Sequence, residues 1–217
     1  MDQKDVLEAL KKIKEISTKR NFNQTYDLVI TLKDIDLKKQ ENHVDFFGNL
    51  HHSRGKKIKV CAFAAPELKD EAKAVCDNVV DILEFPKYAQ DKKLTKKLAD
   101  EFDFFIAQAN IMTQVASAFG RILGPKNKMP NPKAGCVVPP KTNLKPLYAN
   151  LQTMFRISIK KDPMMQIAVG KEDMKDEEIA DNVVSVYDQL LQHLPNQKNN
   201  LKAVYLKLTM GKAVKVA

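Results

Sequence analysis

The chain has 217 residues and is 44% hydrophobic, which excludes a disordered tail and suits one large domain or two small ones. Its 36 Lys and Arg residues outnumber its 27 Asp and Glu residues and give a formal net charge of +9. This excess favours polyanionic partners, nucleic acid above all. With no run of about 18 apolar residues and no apolar signal-peptide core, we expect a cytoplasmic protein without membrane contacts.

The N-terminal segment is predicted to fold as a helix followed by two strands. Apolar residues recur at spacings of three and four, which predicts an amphipathic helix over about residues 4–18: Val6, Ala9, Leu10, Ile13 and Ile16. Every second residue of 25–32 is then apolar, which predicts a strand with one buried face: Tyr26, Leu28, Ile30 and Leu32. A second strand is expected at about residues 43–50.

The C-terminal part of the chain repeats this strand pattern. Three runs alternate with period two: Phe155, Ile157 and Ile159; Met165, Ile167 and Val169; Val204, Leu206 and Leu208. A long helix is expected between the last two runs, with one apolar stripe: Ile179, Val183, Tyr187 and Leu190. Asp173 and Asp176 have the spacing of a capping box and are expected to mark its start.

The middle of the chain alternates strands with helices, which predicts a parallel sheet. The alternating elements, beginning with a strand, are expected at residues 58–64, 66–77, 78–83, 92–101, 104–107 and 111–123. The predicted fold class is therefore an α+β discontinuous domain with an inserted α/β (Rossmann-like, parallel-sheet) domain. The expected bounds are residues 1–58 with 155–217 for the first domain and 59–154 for the second.

One long segment, residues 104–161, contains no Asp or Glu. Its basic residues are Arg121, Lys126, Lys128, Lys133, Lys141, Lys145, Arg156, Lys160 and Lys161. Six of the ten prolines also lie in it, so its centre is expected to be a stiff irregular loop. Such a loop loses little entropy on binding, which suits phosphate contacts. The alternative is a solvated loop that packs only on its own domain.

Motifs for catalysis and for cofactors are incomplete. In residues 120–128 (GRILGPKNK) the glycines are four apart, and Pro125 stands where a phosphate loop needs lysine. No G-x-G-x-x-G follows the strand that ends near Ala64. No nucleophile, base and orienting group can be assembled by motif. We therefore expect neither an enzyme nor a cofactor.

Metal and disulfide sites are not expected either. The cysteines lack the spacing of a zinc site or a disulfide framework: Cys61, Cys76 and Cys136. His51 and His52 are adjacent, and on an extended segment their side chains would point to opposite faces and could not chelate one metal ion.

Three segments resemble signature sequences of the L-one family of large-subunit ribosomal proteins. They are residues 20–25 (RNFNQT), 123–133 (LGPKNKMPNPK) and 207–211 (KLTMG). The resemblance covers essentially the whole chain, and the run FFIAQA at residues 104–109 is similar to archaeal members. Departures occur where many members have Glu, Pro and Thr: here Gln24, Lys212 and Cys136.

The resemblance implies a constituent of the large ribosomal subunit whose discontinuous domain binds a junction in large-subunit rRNA. It also implies a part in the mobile stalk that releases deacylated tRNA from the exit site, and repression of the protein's own mRNA. The implied rRNA-binding residues are Phe22, Thr25, Asp27, Gln166, Lys171, Thr209, Met210 and Gly211. The implied tRNA-facing residues are Arg121, Lys126, Lys128 and Lys133.

The chemistry of these residues suits the shallow minor groove of RNA. A Thr hydroxyl and exposed backbone can bond 2′-hydroxyls, Met210 can pack on ribose, and Gly211 permits close approach of the backbone. From the residues alone, Phe22 has the alternative of a core position and Asp27 that of a surface charge. Two other functions stay open: a free-standing mRNA-binding regulator, and an α/β enzyme that uses the basic loop on a phosphorylated substrate.

Overall fold

The computed structural model describes residues 1–37, 39, 42–140, 142–160 and 162–216. The chain forms two compact units. Unit 1 comprises Met1–Lys56 and Thr153–Ala217, and unit 2 comprises Lys57–Gln152. Unit 1 combines helices with antiparallel strands and unit 2 has a parallel sheet, which confirms the predicted fold class.

The elements are numbered along the chain. The helices are α1 (Gln3–Ile16), α2 (Pro66–Val75), α3 (Phe85–Gln90), α4 (Lys92–Glu101), α5 (Met112–Leu123), α6 (Leu144–Thr153) and α7 (Asp176–His193). The strands are β1 (Thr25–Leu32), β2 (Val44–Asn49), β3 (Val60–Ala64), β4 (Asn78–Asp81), β5 (Phe104–Gln108), β6 (Val137–Val138), β7 (Met154–Ile159), β8 (Met164–Lys171), β9 (Leu201–Leu208) and β10 (Val214–Lys215).

The main sheet of unit 1 has the strand order β10-β9-β1-β8, and β1 pairs antiparallel with both β8 and β9. The alternation predicted for β1 is confirmed, because its apolar residues are buried: Tyr26, Leu28, Ile30 and Leu32. They share a core with apolar residues of α1 and α7. The intervening residues of β1 lie on the opposite face, which is partly exposed.

Strands β2 and β7 form a separate antiparallel ladder in unit 1. Asp45 on β2 accepts two hydrogen bonds from the Arg156 guanidinium, at 3.1 and 3.0 Å, and lies 2.9 Å from the Lys160 ammonium. The bond from Arg156 is the main reason why the pKa of the Asp45 carboxyl is lowered. This cluster therefore fixes β2 to β7 most strongly when Asp45 is ionised.

Helix α7 begins at Asp176, with Lys175 as its N-cap. The predicted capping box of Asp173 and Asp176 is therefore wrong. Acidic residues in the first turn, Asp176 among them, interact favourably with the helix N-terminus instead. Asp176 also accepts hydrogen bonds from Lys14 on α1 at 2.6 and 2.8 Å. On α1 the predicted apolar stripe is buried except for Ile16, which is exposed.

Unit 2 is built on a parallel sheet with the strand order β4-β3-β5-β6. Its core contains a group of phenylalanines, in which the Phe63 ring lies 5.5 Å from that of Phe105 and 4.5 Å from that of Phe119. The alternating strands and helices predicted for residues 58–123 are all present. Within the described residues, no helix combines the length and apolar character needed to span a membrane.

Four short elements were not expected: α3, α6, β6 and β10. Helix α6 lies in the segment predicted to be an irregular Pro-rich loop. Pro146 is compatible with this helix because it is in the first turn, where the missing N–H has no intrahelical partner. The strands β6 and β10 have two residues each, too few to show a period.

Candidate nucleic-acid interface

One end of the main sheet brings together residues from distant parts of the chain. Because β1 runs antiparallel to its two neighbours, the start of β1 meets the ends of β8 and β9. Thr25 lies opposite Lys171, and Tyr26 lies opposite Leu208. We call this region the sheet end; it comprises residues 22–27, 166–171 and 207–211.

Thr25 and Thr209 are joined by three hydrogen bonds at the sheet end. The Thr209 N–H donates to the Thr25 carbonyl oxygen at 3.0 Å, and the Thr25 N–H donates to the Thr209 hydroxyl oxygen at 3.1 Å. The Thr209 hydroxyl in turn donates to the Thr25 carbonyl at 3.3 Å. Its only proton is thus used inside the protein, so toward a ligand this hydroxyl can act only as an acceptor.

Gln24 organises the sheet end and was not among the expected site residues. Its buried side-chain oxygen accepts a hydrogen bond from the Met210 N–H at 3.2 Å. Its backbone carbonyl accepts from the Glu172 N–H at 2.9 Å. Gln24 therefore connects the segments after β8 and β9. No local pattern pairs residues 24 and 210, although both lie in signature segments, 20–25 and 207–211.

Two large apolar side chains are exposed beside these contacts. Met210 is 62% exposed and Phe22 is 52% exposed. The alternative of a core position for Phe22 is therefore wrong. A turn places Met210 in solvent, because the Gly211 N–H donates to the Leu208 carbonyl at 2.9 Å. Exposed apolar groups of this size mark a surface that gains stability when a partner covers it.

Asp27 and Gln166 lie further along the sheet, on its partly exposed face. The Gln166 side chain hydrogen bonds to the Asp27 carboxylate, and Lys207 lies directly across from Asp27 on β9. Both neighbours favour the charged form, but burial has the larger effect and raises the pKa of the Asp27 carboxyl. Asp27 is thus held within a small polar group and is not an isolated surface charge.

Lys171 ends β8 beside Gly55. Gly55 has a φ of +75°, and a Cβ built on it would lie 3.3 to 3.4 Å from the aliphatic carbons of Lys171. The stem of Lys171 therefore packs on the Gly55 backbone. This packing anchors a lysine whose ammonium group supplies positive charge at the sheet end.

The four residues expected to face tRNA have different environments. Arg121 lies in the last turn of α5, and Lys133 is exposed in the loop that follows. Lys126 forms an ion pair with Asp100. Lys128 donates to the carbonyl oxygens of Ala99 at 2.9 Å and Phe102 at 2.7 Å, which caps the C-terminus of α4.

The basic loop is itself packed on unit 2. Pro130 and Cys136 are buried, and Gly135 adopts a left-handed φ of +69°. Asn131 braces the turn, because its side chain accepts from the Lys133 N–H at 2.9 Å and its carbonyl from the Cys136 N–H at 3.1 Å. This geometry favours the alternative in which the loop packs on its own domain. Lys141 and Lys161 of the acid-free segment lie outside the described residues.

The histidine pair departs from its expected geometry. His51 Nδ1 and His52 Nε2 lie 2.9 and 3.2 Å from the same Asp181 carboxylate oxygen. The expectation that these adjacent side chains diverge is wrong, because residues 51–52 form a bend and not a strand. Among the described residues, no three His, Cys, Asp or Glu side chains are placed to hold a metal ion.

The crevice in which open α/β sheets bind ligands is filled in unit 2. It lies at the carboxyl ends of β3 and β5, where the strand order reverses. Gln108 is buried there, and its side chain accepts from the Ala65 N–H at 3.1 Å and donates to Glu67 at 3.3 Å. A side chain thus occupies the position that a phosphorylated substrate would need, which argues against the enzyme alternative.

Fold and site together define a class of protein: an α+β unit that carries an inserted α/β unit, with both termini contributing to an exposed sheet end. The sequence profile of the Ribosomal protein L1p/L10e family matches residues 10–212. "Large ribosomal subunit protein uL1" of Methanobrevibacter smithii is 42% identical over 216 residues, and covers 98% of each chain. The proteins of the same name from Methanothermobacter thermautotrophicus and Thermococcus kodakarensis are each 39% identical, over 99% of this chain and 99% and 98% of theirs.

The chain belongs to the ribosomal protein L1 family, and these relatives are archaeal. Both findings confirm the resemblance that the three signature segments indicated. The relatives bear the name of a ribosomal protein and not that of an enzyme, in agreement with the expectation from the missing catalytic motifs.

Proposed function

We propose that the protein is a structural constituent of the large ribosomal subunit and that unit 1 binds large-subunit rRNA through the sheet end. The observation that carries this proposal is the exposure of Met210 and Phe22 next to the Thr25–Thr209 contact. The shared name of the archaeal relatives supports the assignment to the large subunit.

The groups at the sheet end suit RNA better than they suit an acidic protein. It offers hydroxyl acceptors, exposed backbone and apolar side chains, with Lys171 at the end of β8 and Lys207 on β9. In the wide minor groove of RNA such groups can bond 2′-hydroxyls and cover ribose rings. The backbone phosphates then add affinity through Lys171 and Lys207, without specifying the sequence.

Two finer functions follow from the family resemblance and are part of the proposal. The protein contributes to the mobile stalk that releases deacylated tRNA from the exit site, a task that falls to unit 2 if unit 1 holds the rRNA. It also represses translation of its own mRNA, because an mRNA element that resembles the ribosomal site would bind the same sheet end.

The test is crosslinking of the protein to RNA in cells, followed by sequencing of the bound RNA and by sedimentation of the lysate. We expect one dominant rRNA segment, a minor peak in the protein's own mRNA, and co-sedimentation with large subunits. A protein that sediments free and crosslinks only to mRNA would be the free-standing regulator. Absence of the mRNA peak alone would remove autoregulation and leave rRNA binding in place.

A further inference from the structure

A groove in unit 2 lies between α3, α4 and α5, on elements that the sheet end does not use. It has a volume of about 320 Å³. Its walls include the side chains of Tyr88, Lys92, Lys96, Ser117, Arg121 and Ile122. Among these residues, only Arg121 belongs to the RNA-contacting residues that the family resemblance implies.

Three cations line this groove from two helices. Lys92 and Lys96 are one turn apart on α4, and Arg121 follows Ser117 by one turn on α5. Within the described part of the chain, none of the three forms an ion pair. All three are exposed, so the groove offers concentrated positive charge and a hydroxyl donor to a ligand.

The acidic residues at the two ends of α4 have other partners, and a third, Glu84, interacts electrostatically with Tyr88. Asp91 caps α4, where its carboxylate accepts from the backbone N–H groups of Lys93 and Leu94. Asp100 is paired with Lys126. The charge of the groove is therefore not neutralised by its own helix ends.

Part of the groove lining is apolar. The Tyr88 ring packs 5.5 Å from the Phe119 ring, and Ile122 lies beside it. A second depression of about 230 Å³ continues the groove and adds apolar side chains of Ile82, Phe85 and Pro86. A ligand that suits this lining carries an anionic group for the three cations and a weakly polar ring for the Tyr88 side.

We propose that this groove binds a nucleotide of single-stranded RNA, with its phosphate between the α4 lysines and Arg121 and its base along Tyr88. Cationic grooves with an aromatic floor bind single strands in this way, because every base has a face that can stack. A peptide of acidic residues would match the charge but has no ring to stack on Tyr88. The inference goes beyond the proposed function and does not depend on rRNA binding at the sheet end.

The experiment is a titration of the full-length, isotope-labelled protein with hexauridylate, monitored by the NMR shifts of backbone amides. The test variant is Lys92→Gln with Lys96→Gln. The matched control is Lys93→Gln with Lys97→Gln, which removes the same charge from the same helix outside the groove. Hexaglutamate and inorganic phosphate are titrated as separate probes.

We expect hexauridylate to shift amides of α3, α4 and α5 in wild type and control. The test variant should bind there about tenfold more weakly, with a log-log salt slope smaller by about 0.7 for each phosphate that it no longer neutralises. If hexauridylate binding weakened equally in the test and control variants, binding would depend only on net charge, and the proposal would be overturned. It would be overturned equally by shifts confined to unit 1, or by hexaglutamate binding as tightly as hexauridylate. Weaker binding in the groove with the unit 1 shifts intact would leave the sheet-end proposal standing.

Discussion

Replacement of Lys128 by methionine should destabilise helix α4 of unit 2, although Lys128 was expected to face tRNA. Its ammonium donates to the carbonyls of Ala99 and Phe102 at 2.9 and 2.7 Å, at the helix end where a positive charge is favourable. A hydrogen bond from a charged donor contributes about 1.5 to 3 kcal/mol, less where solvent screens it. For these two partly exposed bonds we expect a total destabilisation of about 2 kcal/mol. Methionine keeps most of the aliphatic stem, so packing changes little.

Hydrogen exchange of the α4 amides, measured by mass spectrometry on the full chain, reports this destabilisation. A change of about 2 kcal/mol corresponds to roughly 30-fold faster exchange through local opening. The matched control is Lys126→Met, because its ion pair with Asp100 lies at the surface and is screened by solvent, so its loss should leave the exchange of α4 nearly unchanged. Equal exchange in the two variants would refute the capping role of Lys128.

Three other substitutions have definite expected effects on the free energy of unfolding, measured with urea. Asp45→Asn should cost about 1 kcal/mol at pH 7, because it removes the bidentate bond from Arg156. The pKa of Asp45 is lowered below its usual 3.8, so the stabilisation by its carboxylate is complete above that pH and is lost as the pH falls through the folded-state pKa. A stability difference between wild type and variant that does not shrink as the pH is lowered below 3.8 would contradict this. Tyr26→Phe should stabilise the protein by about 1 kcal/mol, because the buried Tyr26 hydroxyl has no hydrogen-bond partner among the described residues; a destabilised variant would reveal a partner such as bound water. Gly120→Ala should stabilise α5 by about 0.5 to 1 kcal/mol, because nothing lies within 4 Å of the added Cβ. Gly124→Ala is the contrasting variant, because its added Cβ would lie only 2.6 Å from a backbone oxygen. Equal effects of the two substitutions on stability would show that the space around the added Cβ does not matter.

The sequence predicted best those elements in which buried residues recur at a regular spacing. Strand β1 was predicted at its observed bounds, because its buried residues alternate over the whole of 25–32. The parallel sheet of unit 2 followed from the order of strands and helices alone. Helix α6 was not predicted, because the prolines of the acid-free segment indicate an irregular loop, whereas Pro146 lies in the first turn, where it is compatible with a helix.

The site depends on contacts that no local pattern contains. Gln24 and Met210 are far apart in the chain and meet only because β1 and β9 pair. Lys128 lies in a loop whose composition suits phosphate binding, yet its ammonium group is 2.7 Å from the Phe102 carbonyl oxygen. Charge could therefore be counted from the sequence, but which charges remain available to a ligand depends on tertiary structure.

The most direct test of RNA binding by the sheet end is the affinity of the full chain for large-subunit rRNA when the exposed apolar groups there are removed. The variants are Met210→Ala alone and together with Phe22→Ala. The control is Met164→Ala, which removes an exposed methionine at the opposite end of β8, where it pairs with Thr31. All three should keep the unfolding midpoint of the wild type.

Covering the exposed part of Met210 contributes about 1 to 1.5 kcal/mol, and Phe22 adds a similar amount. We therefore predict roughly tenfold weaker rRNA binding for Met210→Ala and about 30- to 150-fold weaker binding for the double variant. Met164→Ala should bind within about threefold of wild type. Wild-type affinity of the folded double variant, or equal weakening in the Met164 control, would contradict the assignment of the sheet end as the RNA-binding surface.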